Sequence, residues 1–137
     1  MDTASELSQL MNVFMRRMKT GMQKRVKDIA PSGFGPQGAM VLQIVANAQP
    51  MPITALVAEL ARDKSQVTRM VSELEGHGLI LRSNDPNDAR VRLLSLTDDG
   101  HALTASFAEA MTEVVSDVLD PLSASEQMQL VEIMRKI

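Results

Sequence analysis

Apolar residues recur every three or four positions in six segments of this chain, a spacing that predicts helices that each bury one face. Two of these predicted helices are long; they cover residues 5–28 and 98–119 and lie towards the two ends of the chain. Three shorter helices follow one another between them, and a last helix follows residue 123. The pattern therefore predicts a mainly α-helical fold with amphipathic helices at both chain ends.

The three central helices are joined by short connections. Residues 31–36 contain two prolines and two glycines, which break the first long helix. Helices are then predicted over residues 37–48 and 53–60, and the third central helix begins near Lys64. Because only a few residues separate the last two helices, their order is that of a helix-turn-helix.

A β-hairpin is predicted directly after the third central helix. Residues 79–81 and 91–96 have the composition of strands, and the turn-forming residues 84–88 lie between them. Arg90 then lies at the tip of this hairpin. The sequence thus predicts a winged helix-turn-helix, mainly α with a small β-hairpin wing, flanked by N- and C-terminal helices.

The third central helix has recognisable ends and a single apolar stripe. Asp63 and Gln66 have the spacing of a capping box at its start. Gly76 and Gly78 offer left-handed positions at its end. The residues expected to face the core are Val67, Met70, Val71 and Leu74.

The later helices also carry capping signals. Thr97 is a candidate N-cap for the second long helix, and Asp98 and Asp99 place two carboxylates in its first turn, where the helix dipole favours them. Ser123 and Glu126 are spaced as a capping box before the last helix.

Charge is distributed unevenly along the chain. The formal net charge is −3, but residues 1–97 carry +3 and residues 98–137 carry −6. An acidic C-terminal part does not cancel a basic face elsewhere, because salt screens charges beyond about 8–10 Å. A local basic surface is therefore compatible with the acidic average.

Composition excludes several classes of protein. The absence of cysteine excludes a thiol redox sensor, a cysteine nucleophile and a Cys-ligated zinc site. With three Phe and no Trp or Tyr, the chain has few rings on which single-stranded nucleic acid could stack. We expect a cytoplasmic protein without a membrane partner, because no apolar run reaches the length of a membrane span and the N-terminus lacks the pattern of a signal peptide.

The sequence offers no catalytic constellation. It has no Gly-rich phosphate loop, no His-x-Glu-x-x-His motif and only two histidines. The oxygen donors of residues 84–88 lack the central Gly and the terminal Glu of a calcium loop. We therefore expect no enzymatic activity, no cofactor and no metal.

The exposed face of the third central helix carries side chains suited to DNA. An α-helix fits the major groove, and the residues near its N-terminus then face base edges. Gln66 can pair with adenine, Arg69 with guanine or a phosphate, and Thr68 with either base or a thymine methyl group. Lys64 and Ser65 are better placed for phosphates.

Three arginines of the hairpin extend this predicted surface. Arg90 at the tip could enter a narrow minor groove, where the negative potential is enhanced. Arg82 and Arg92 are candidates for contacts with the flanking phosphate backbone. Strand alternation places Arg92 on the same side as Leu94 and Leu96, which leaves its direction open.

The terminal helices leave two alternatives open. The Met-rich stripe of residues 11–22 is either a plastic ligand groove or, more in keeping with its helical spacing, core or subunit interface. The neighbouring basic run of residues 16–27 is either a surface for phosphates or membranes or a solvated helix face. Since these stripes exceed what one small lobe can cover, we expect a homodimer. The single domain, residues 1–137, would comprise a DNA-binding lobe, 31–97, and dimerisation helices, 1–30 and 98–137.

The hairpin and the helix before it resemble the MarR family of bacterial transcriptional regulators. Residues 85–90, Asp-Pro-Asn-Asp-Ala-Arg, followed by residues 94–100, Leu-Ser-Leu-Thr-Asp-Asp-Gly, are similar to the wing signature of that family. Residues 60–80 are similar to its recognition helix and first wing strand. One departure is Ala89, where the family often has a second arginine.

The resemblance implies a homodimer that binds a pseudo-palindromic operator in double-stranded DNA, usually as a repressor. It further implies release when a small, often phenolic or aromatic anion binds between the lobe and the dimer helices. Carried over by position, Asp88 would help to fix the wing tip and Arg90 would contact the minor groove. The residues that would contact the major groove are Ser65, Gln66, Thr68 and Arg69. The effector-binding residues stay unknown, with Arg16 or Arg17 as guesses for an anion partner. The alternative class is a winged-helix interaction module whose basic residues 16–27 bind an acidic protein partner.

Overall fold

A computed structural model of the protein describes residues 2–31 and 34–137. It contains six helices and three strands in these residues. The helices are α1, Thr3–Ile29, α2, Pro36–Ala48, α3, Ile53–Leu60, α4, Lys64–Gly76, α5, Asp98–Val118, and α6, Ala124–Met134; the strands are β1, Met51–Pro52, β2, Ile80–Asn84, and β3, Arg92–Leu96. All six predicted helices are present, and the mainly α class with a small wing is confirmed.

The wing belongs to a three-stranded antiparallel sheet of order β1-β3-β2. The hairpin of β2 and β3 is as predicted, with Arg82 opposite Leu94. The sequence did not indicate β1, whose Met51 also lies opposite Leu94. The side chain of Gln49 extends this pairing, because its Oε1 accepts a hydrogen bond from the backbone N–H of Leu96 at 2.9 Å. A two-residue strand that contains a proline has no periodicity by which sequence could reveal it.

Helix α4 begins at Lys64 as predicted, but the capping box expected there is wrong. No side chain caps the first turn, and the Asp63 carboxylate instead accepts a hydrogen bond from Ser65 Oγ at 2.6 Å. Before α4, Ala61 has a left-handed backbone with φ of 51°, which turns the chain between the two helices. The short helix-turn-helix junction therefore depends on backbone geometry at Ala61 and not on a cap at Asp63.

The end of α4 is a Schellman turn. Gly78 has φ of 72°, and its N–H donates to the Glu75 carbonyl, while the Leu79 N–H donates to the Leu74 carbonyl, both at 3.0 Å. Of the two glycines expected to be left-handed, only Gly78 is, because Gly76 still belongs to the helix. This turn brings Leu79 back into the core, where it is 5 % exposed.

The residue before α5 is hydrogen-bonded to the Schellman turn at the end of α4. Thr97 is the N-cap that the sequence predicts: its Oγ1 accepts from the Gly100 N–H at 3.0 Å and donates to the Gly78 carbonyl at 2.6 Å. The Thr97 N–H donates to the Leu79 carbonyl at 3.1 Å. A Cβ on the buried Gly100 would overlap the carbonyl oxygen of Leu79. The end of α4 and the start of α5 are thus in direct backbone contact.

The chain divides into two compact units, one of Val26–Ala108 and one of Met1–Arg25 with Glu109–Ile137. The first unit contains the helix-turn-helix and the sheet around a core of side chains from α2 to α5. Of the α4 stripe, Met70 is only partly buried. Side chains of this core that are fully inaccessible to solvent are Val41, Leu42, Val45, Leu56, Val67, Val71 and Leu94.

The second unit joins α1 to the C-terminal half of α5 and to α6. Arg25 of α1 forms ion pairs with Glu113 at 3.1 Å and Asp117 at 2.7 Å, and these hydrogen bonds raise the pKa of its guanidinium. A Cβ on Gly21 would come within 2.7 Å of Val114 Cγ1, so the two helices approach closely there. The capping box of Ser123 and Glu126 is present as predicted. In the described part of the chain, no helix combines the length and apolar character that a membrane span requires.

Candidate nucleic-acid interface

Five of the predicted DNA contacts lie together on the first two turns of α4. Lys64, Ser65, Gln66 and Arg69 are exposed, and Thr68 is half-buried. The three apolar side chains Val67, Val71 and Leu74 hold the opposite face of the helix in the core. The N-terminal half of α4 therefore presents a continuous polar surface to solvent.

Two of these polar side chains already have partners, one in α4 and one in the residue before it. Thr68 Oγ1 donates to the Lys64 carbonyl at 2.8 Å, and Ser65 Oγ donates to Asp63. Both hydroxyl oxygens can still accept a hydrogen bond, and a rotated hydroxyl could donate elsewhere. Gln66 and Arg69 are exposed and have longer side chains than Ser65 and Thr68, with amide or guanidinium groups that can form paired hydrogen bonds. They are the groups best able to reach the edge of a base.

The wing tip is ordered by two aspartates. The Asp85 carboxylate accepts from the Asn87 N–H at 2.8 Å, and the Asp85 N–H donates to the Val91 carbonyl at 3.0 Å. Asp88 accepts from the Arg90 N–H at 3.0 Å and from Arg90 Nε at 3.1 Å. These contacts close the loop at both ends and place Arg90 at its tip.

Arg90 is the most exposed of the arginines whose ion pairs are resolved, with 91 % of its side chain accessible. Its only ion pair in the described residues is with Asp88, which is itself 39 % exposed. Such an exposed pair contributes little to stability and can be exchanged for another anion. A phosphate or a groove lined by acceptors can therefore compete for the Arg90 guanidinium.

Hydrogen bonds from Arg90, first from its side chain and then from its backbone, hold the pKa of Asp88 below its ordinary value. Because the pKa of Asp88 is lowered in the folded wing, the Asp88 carboxylate contributes fully to the stability of the wing tip above the ordinary carboxyl pKa. That contribution is lost as the pH falls through the lowered pKa. We expect the carboxyl carbon and the Arg90 amide to report this transition in an NMR pH titration. Asp88→Asn should abolish it, and a carboxyl that titrates at or above its ordinary pKa would contradict the contact.

The structure places the other two wing arginines differently. Arg92 is exposed at the end of β3, opposite Asn84. Residues two apart on a strand face the same side, so Arg92 shares a face of β3 with the buried Leu94. Arg92 is nevertheless exposed, because it lies at the outer end of the ladder. Arg82 is turned back towards α4: its Nη2 donates to Ser72 Oγ at 2.8 Å and its Nε lies 3.4 Å from Glu75 Oε1.

Sequence reasoning did not single out Ser72, Glu75 or Arg62. The first two hold Arg82, and no periodicity signals a contact between a helix face and a strand ten residues away. Arg62 lies two residues before α4, and its guanidinium lies 2.9 Å from the Gln37 amide oxygen in the amide orientation that satisfies both groups. A basic residue in the turn before a recognition helix is the signal that could have suggested it.

The described residues contain no cluster of three His, Asp or Glu side chains arranged to hold a metal ion. His77 and His101 are both exposed, and His101 Nε2 lies 3.4 Å from Gln49 Nε2. The predicted DNA-contacting side chains of this unit lie on α4 and on the wing, which are the two elements that a winged helix applies to DNA.

Comparisons with known proteins agree with this geometry. The sequence model of the MarR family matches residues 36–91. The chain is 30 % identical over 97 residues to the transcriptional regulator HosA of Escherichia coli O157:H7. The matched region covers 71 % of this chain and 72 % of HosA.

Solved structures share the fold over nearly the whole chain. Wild-type MarR from E. coli in its apo form superposes with a TM-score of 0.78 at 21 % identity and covers 95 % of both chains. The PcaV transcriptional regulator of Streptomyces coelicolor, in complex with its natural ligand, gives a TM-score of 0.65 at 21 % identity and covers 99 % of this chain and 94 % of that one. With the family match and the HosA relationship, these observations show that the chain belongs to the MarR family and is a DNA-binding transcriptional regulator.

Proposed function

We propose that this protein is a homodimeric, sequence-specific repressor that binds a pseudo-palindromic operator and is released by a small-molecule effector. The observation that carries the DNA-binding part is the juxtaposition, in one compact unit, of the exposed polar half of α4 and a wing tipped by Arg90. As a regulator of chromosomal DNA it would act in the cytoplasm.

Each element has a separate role in this proposal. Gln66, Thr68 and Arg69 read base edges in the major groove, and Lys64 and Ser65 hold phosphates at the start of the helix. Arg90 enters the adjacent minor groove, and Asp88 keeps the tip of the wing in shape for it. Arg92, exposed at the outer end of the β2–β3 ladder, contacts the flanking backbone.

Exposed apolar side chains on the second unit support the homodimer. On α1, Leu7 and Met11 are 53 % and 59 % exposed, and on α6, Met128 and Met134 are 62 % and 61 % exposed. Apolar groups spread along two helices of one unit are typical of a surface that a second subunit covers. A two-fold axis would repeat the α4 surface, and a pseudo-palindromic operator has the matching symmetry.

A cleft within the second unit offers a place for an anionic effector. It has a volume of about 620 Å³ and lies between α1 and the end of α5. Four cationic side chains, Arg16, Arg17, Lys24 and Arg25, line it together with the carboxylate of Asp117, which pairs with Arg25. The cations of the cleft suit an anion, and PcaV, which shares this fold, is bound to its natural ligand in its solved structure. Together with the resemblance to the MarR family, these observations lead us to propose a small aromatic or phenolic anion as the effector class.

The DNA-binding roles can be tested with Arg69→Ala and Arg90→Ala. Each should lower affinity for the protein's own promoter DNA by about 1–3 kcal/mol, because a side chain that reads a base edge is lost. Titration of labelled promoter fragments, measured at a fixed salt concentration, gives the affinities. Arg69→Ala should also relax sequence preference at the base pairs that it reads.

Arg135→Ala is the matched control, since it removes an exposed cation from the C-terminal end of α6, outside the winged-helix unit. It should leave affinity within about 0.3 kcal/mol of the wild-type value, as expected for a surface change far from a binding site. If both winged-helix variants lost less than about 0.5 kcal/mol, the assigned roles would be wrong. Wild-type protein that is monomeric and has no affinity for DNA at low salt would instead favour the protein-interaction module.

A further inference from the structure

We propose that Arg82 is a positioning residue that fixes the rotation of α4 relative to the wing, and that it does not bind the DNA backbone. This inference rests on the proposed function, since it concerns how the same interface is aligned. Arg82 belongs to β2, and its two contacts are both with side chains of α4. It therefore links the two elements that are to enter neighbouring grooves.

The Arg82 guanidinium is held at two of its nitrogens, of which Nε is buried. Nη2 donates to Ser72 Oγ at 2.8 Å, and Nε, buried and without a hydrogen bond of good geometry, lies 3.4 Å from Glu75 Oε1. The Arg82 side chain is 24 % exposed, against 91 % for Arg90. To reach a phosphate, Arg82 would have to leave both partners and part of its packing.

The position of these partners on α4 explains what the link controls. Ser72 and Glu75 lie three residues apart, on the same face of the helix as Ser65 and Thr68. At roughly 100° per residue, all four fall within a sector of roughly 80°. Holding the C-terminal half of this sector against β2 thus sets the direction in which its N-terminal half points.

Arginine suits this role better than lysine would. The planar guanidinium offers donors in a fixed fork, so it can contact a hydroxyl and a carboxylate at once and restrict the rotation of both. A lysine at this position keeps the charge but has a single ammonium group on a flexible stem. Arg82→Lys therefore removes the two-donor geometry and keeps the positive charge, so the effects of geometry and charge can be measured separately.

The test compares four variants by their affinity for promoter and for random DNA at several salt concentrations. Arg82→Ala removes the link and the charge, and Arg82→Lys keeps the charge but removes the planar guanidinium. Ser72→Ala/Glu75→Gln removes the Ser72 hydroxyl and the Glu75 charge while leaving Arg82 in place. Arg92→Ala is the matched control, an exposed arginine on the neighbouring strand. Circular dichroism and thermal melting show whether each variant is folded.

If Arg82 positions α4, both Arg82→Ala and Ser72→Ala/Glu75→Gln should lower the ratio of promoter to random-DNA affinity about fivefold, as expected for the loss of one hydrogen bond of typical strength. The slope of log K against log salt should stay at the wild-type value for Arg82→Ala. For Arg92→Ala it should become shallower by about 0.9 per subunit, the share of one phosphate contact. Arg82→Lys should give a ratio of promoter to random-DNA affinity close to that of Arg82→Ala.

The opposite pattern would overturn the inference. A phosphate contact predicts that Arg82→Ala makes the slope shallower by about 0.9 per subunit, that Arg82→Lys recovers affinity, and that freeing Arg82 with Ser72→Ala/Glu75→Gln costs nothing. Should Arg82→Ala fail to fold, the partner variant decides the question by itself. Failure of wild-type protein to prefer promoter DNA is a distinct result, and it would refute the proposed function first.

Discussion

Gly100→Ala should destabilise the folded protein by at least about 3 kcal/mol, the upper part of the range for overpacking, because the new methyl group has no space. A Cβ at this position overlaps the Leu79 carbonyl oxygen and lies 3.1 Å from the Leu79 carbonyl carbon and 3.3 Å from Leu96 Cβ. Two of the three atoms are backbone, so no side chain can rotate away. Relief requires α5 to move from the Schellman turn, which breaks the Thr97 hydrogen bonds.

Chemical denaturation at one fixed protein concentration measures this loss, since the proposed dimer would be more stable at higher protein concentration. Gly76→Ala is the matched control, because Gly76 lies in the last turn of α4 and its added Cβ would have open space. Apart from its chain neighbours and the backbone of its own helix, no atom of the described residues lies within 4 Å of that Cβ. This change should be neutral or stabilising by up to about 1 kcal/mol, because alanine favours helices. If Gly100→Ala behaved like Gly76→Ala, α5 would not lie against Leu79.

Leu94→Ala should cost about 3 kcal/mol, within the 2–5 kcal/mol range of buried leucine truncations. Leu94 lies in the central strand of the sheet, opposite Met51 on one side and Arg82 on the other, and none of its surface is exposed. The substitution leaves a cavity where the strands meet the helices. Thermal or denaturant unfolding gives the change in free energy, again at fixed protein concentration.

Leu81→Ala provides the comparison within the same sheet. Leu81 lies on β2 opposite Ser95, and 56 % of its surface is exposed. Its truncation should cost less than about 1 kcal/mol, because little apolar surface is returned to water. Equal losses at Leu94 and Leu81 would show that the register of the wing is wrong by one residue, since a one-residue shift exchanges the two faces of a strand.

The elements with strong periodicity could be predicted from sequence. All six helices, both wing strands and the Thr97 and Ser123 caps were identified, because apolar spacing and local hydrogen-bonding side chains are properties of short segments. At Asp63 the expected cap is replaced by a local contact, in which the carboxylate accepts a hydrogen bond from Ser65 Oγ. Sequence spacing alone does not distinguish these two arrangements.

Features that depend on contacts between distant residues could not be predicted. Strand β1 exists because Met51 and Pro52 meet β3 about forty residues later, and no local pattern announces such a pairing. In the sequence Arg82 looks like any other basic residue of the wing. Only the structure shows that its guanidinium contacts Ser72 and Glu75. The α4 face, in contrast, followed from helix geometry, although its roles at DNA stay a proposal.

The hydrogen bonds that close the wing also constrain how its length could change in related chains. The ladder of β2 and β3 is fixed from Ile80–Leu96 to Asn84–Arg92, and the Asp85–Val91 contact continues it to the tip. Each residue added to both strands would carry Arg90 outwards by about 3.4 Å and turn it to the other face of the sheet. Only insertions of two residues in each strand would preserve its direction, so the reach of the wing should vary in steps of roughly 7 Å.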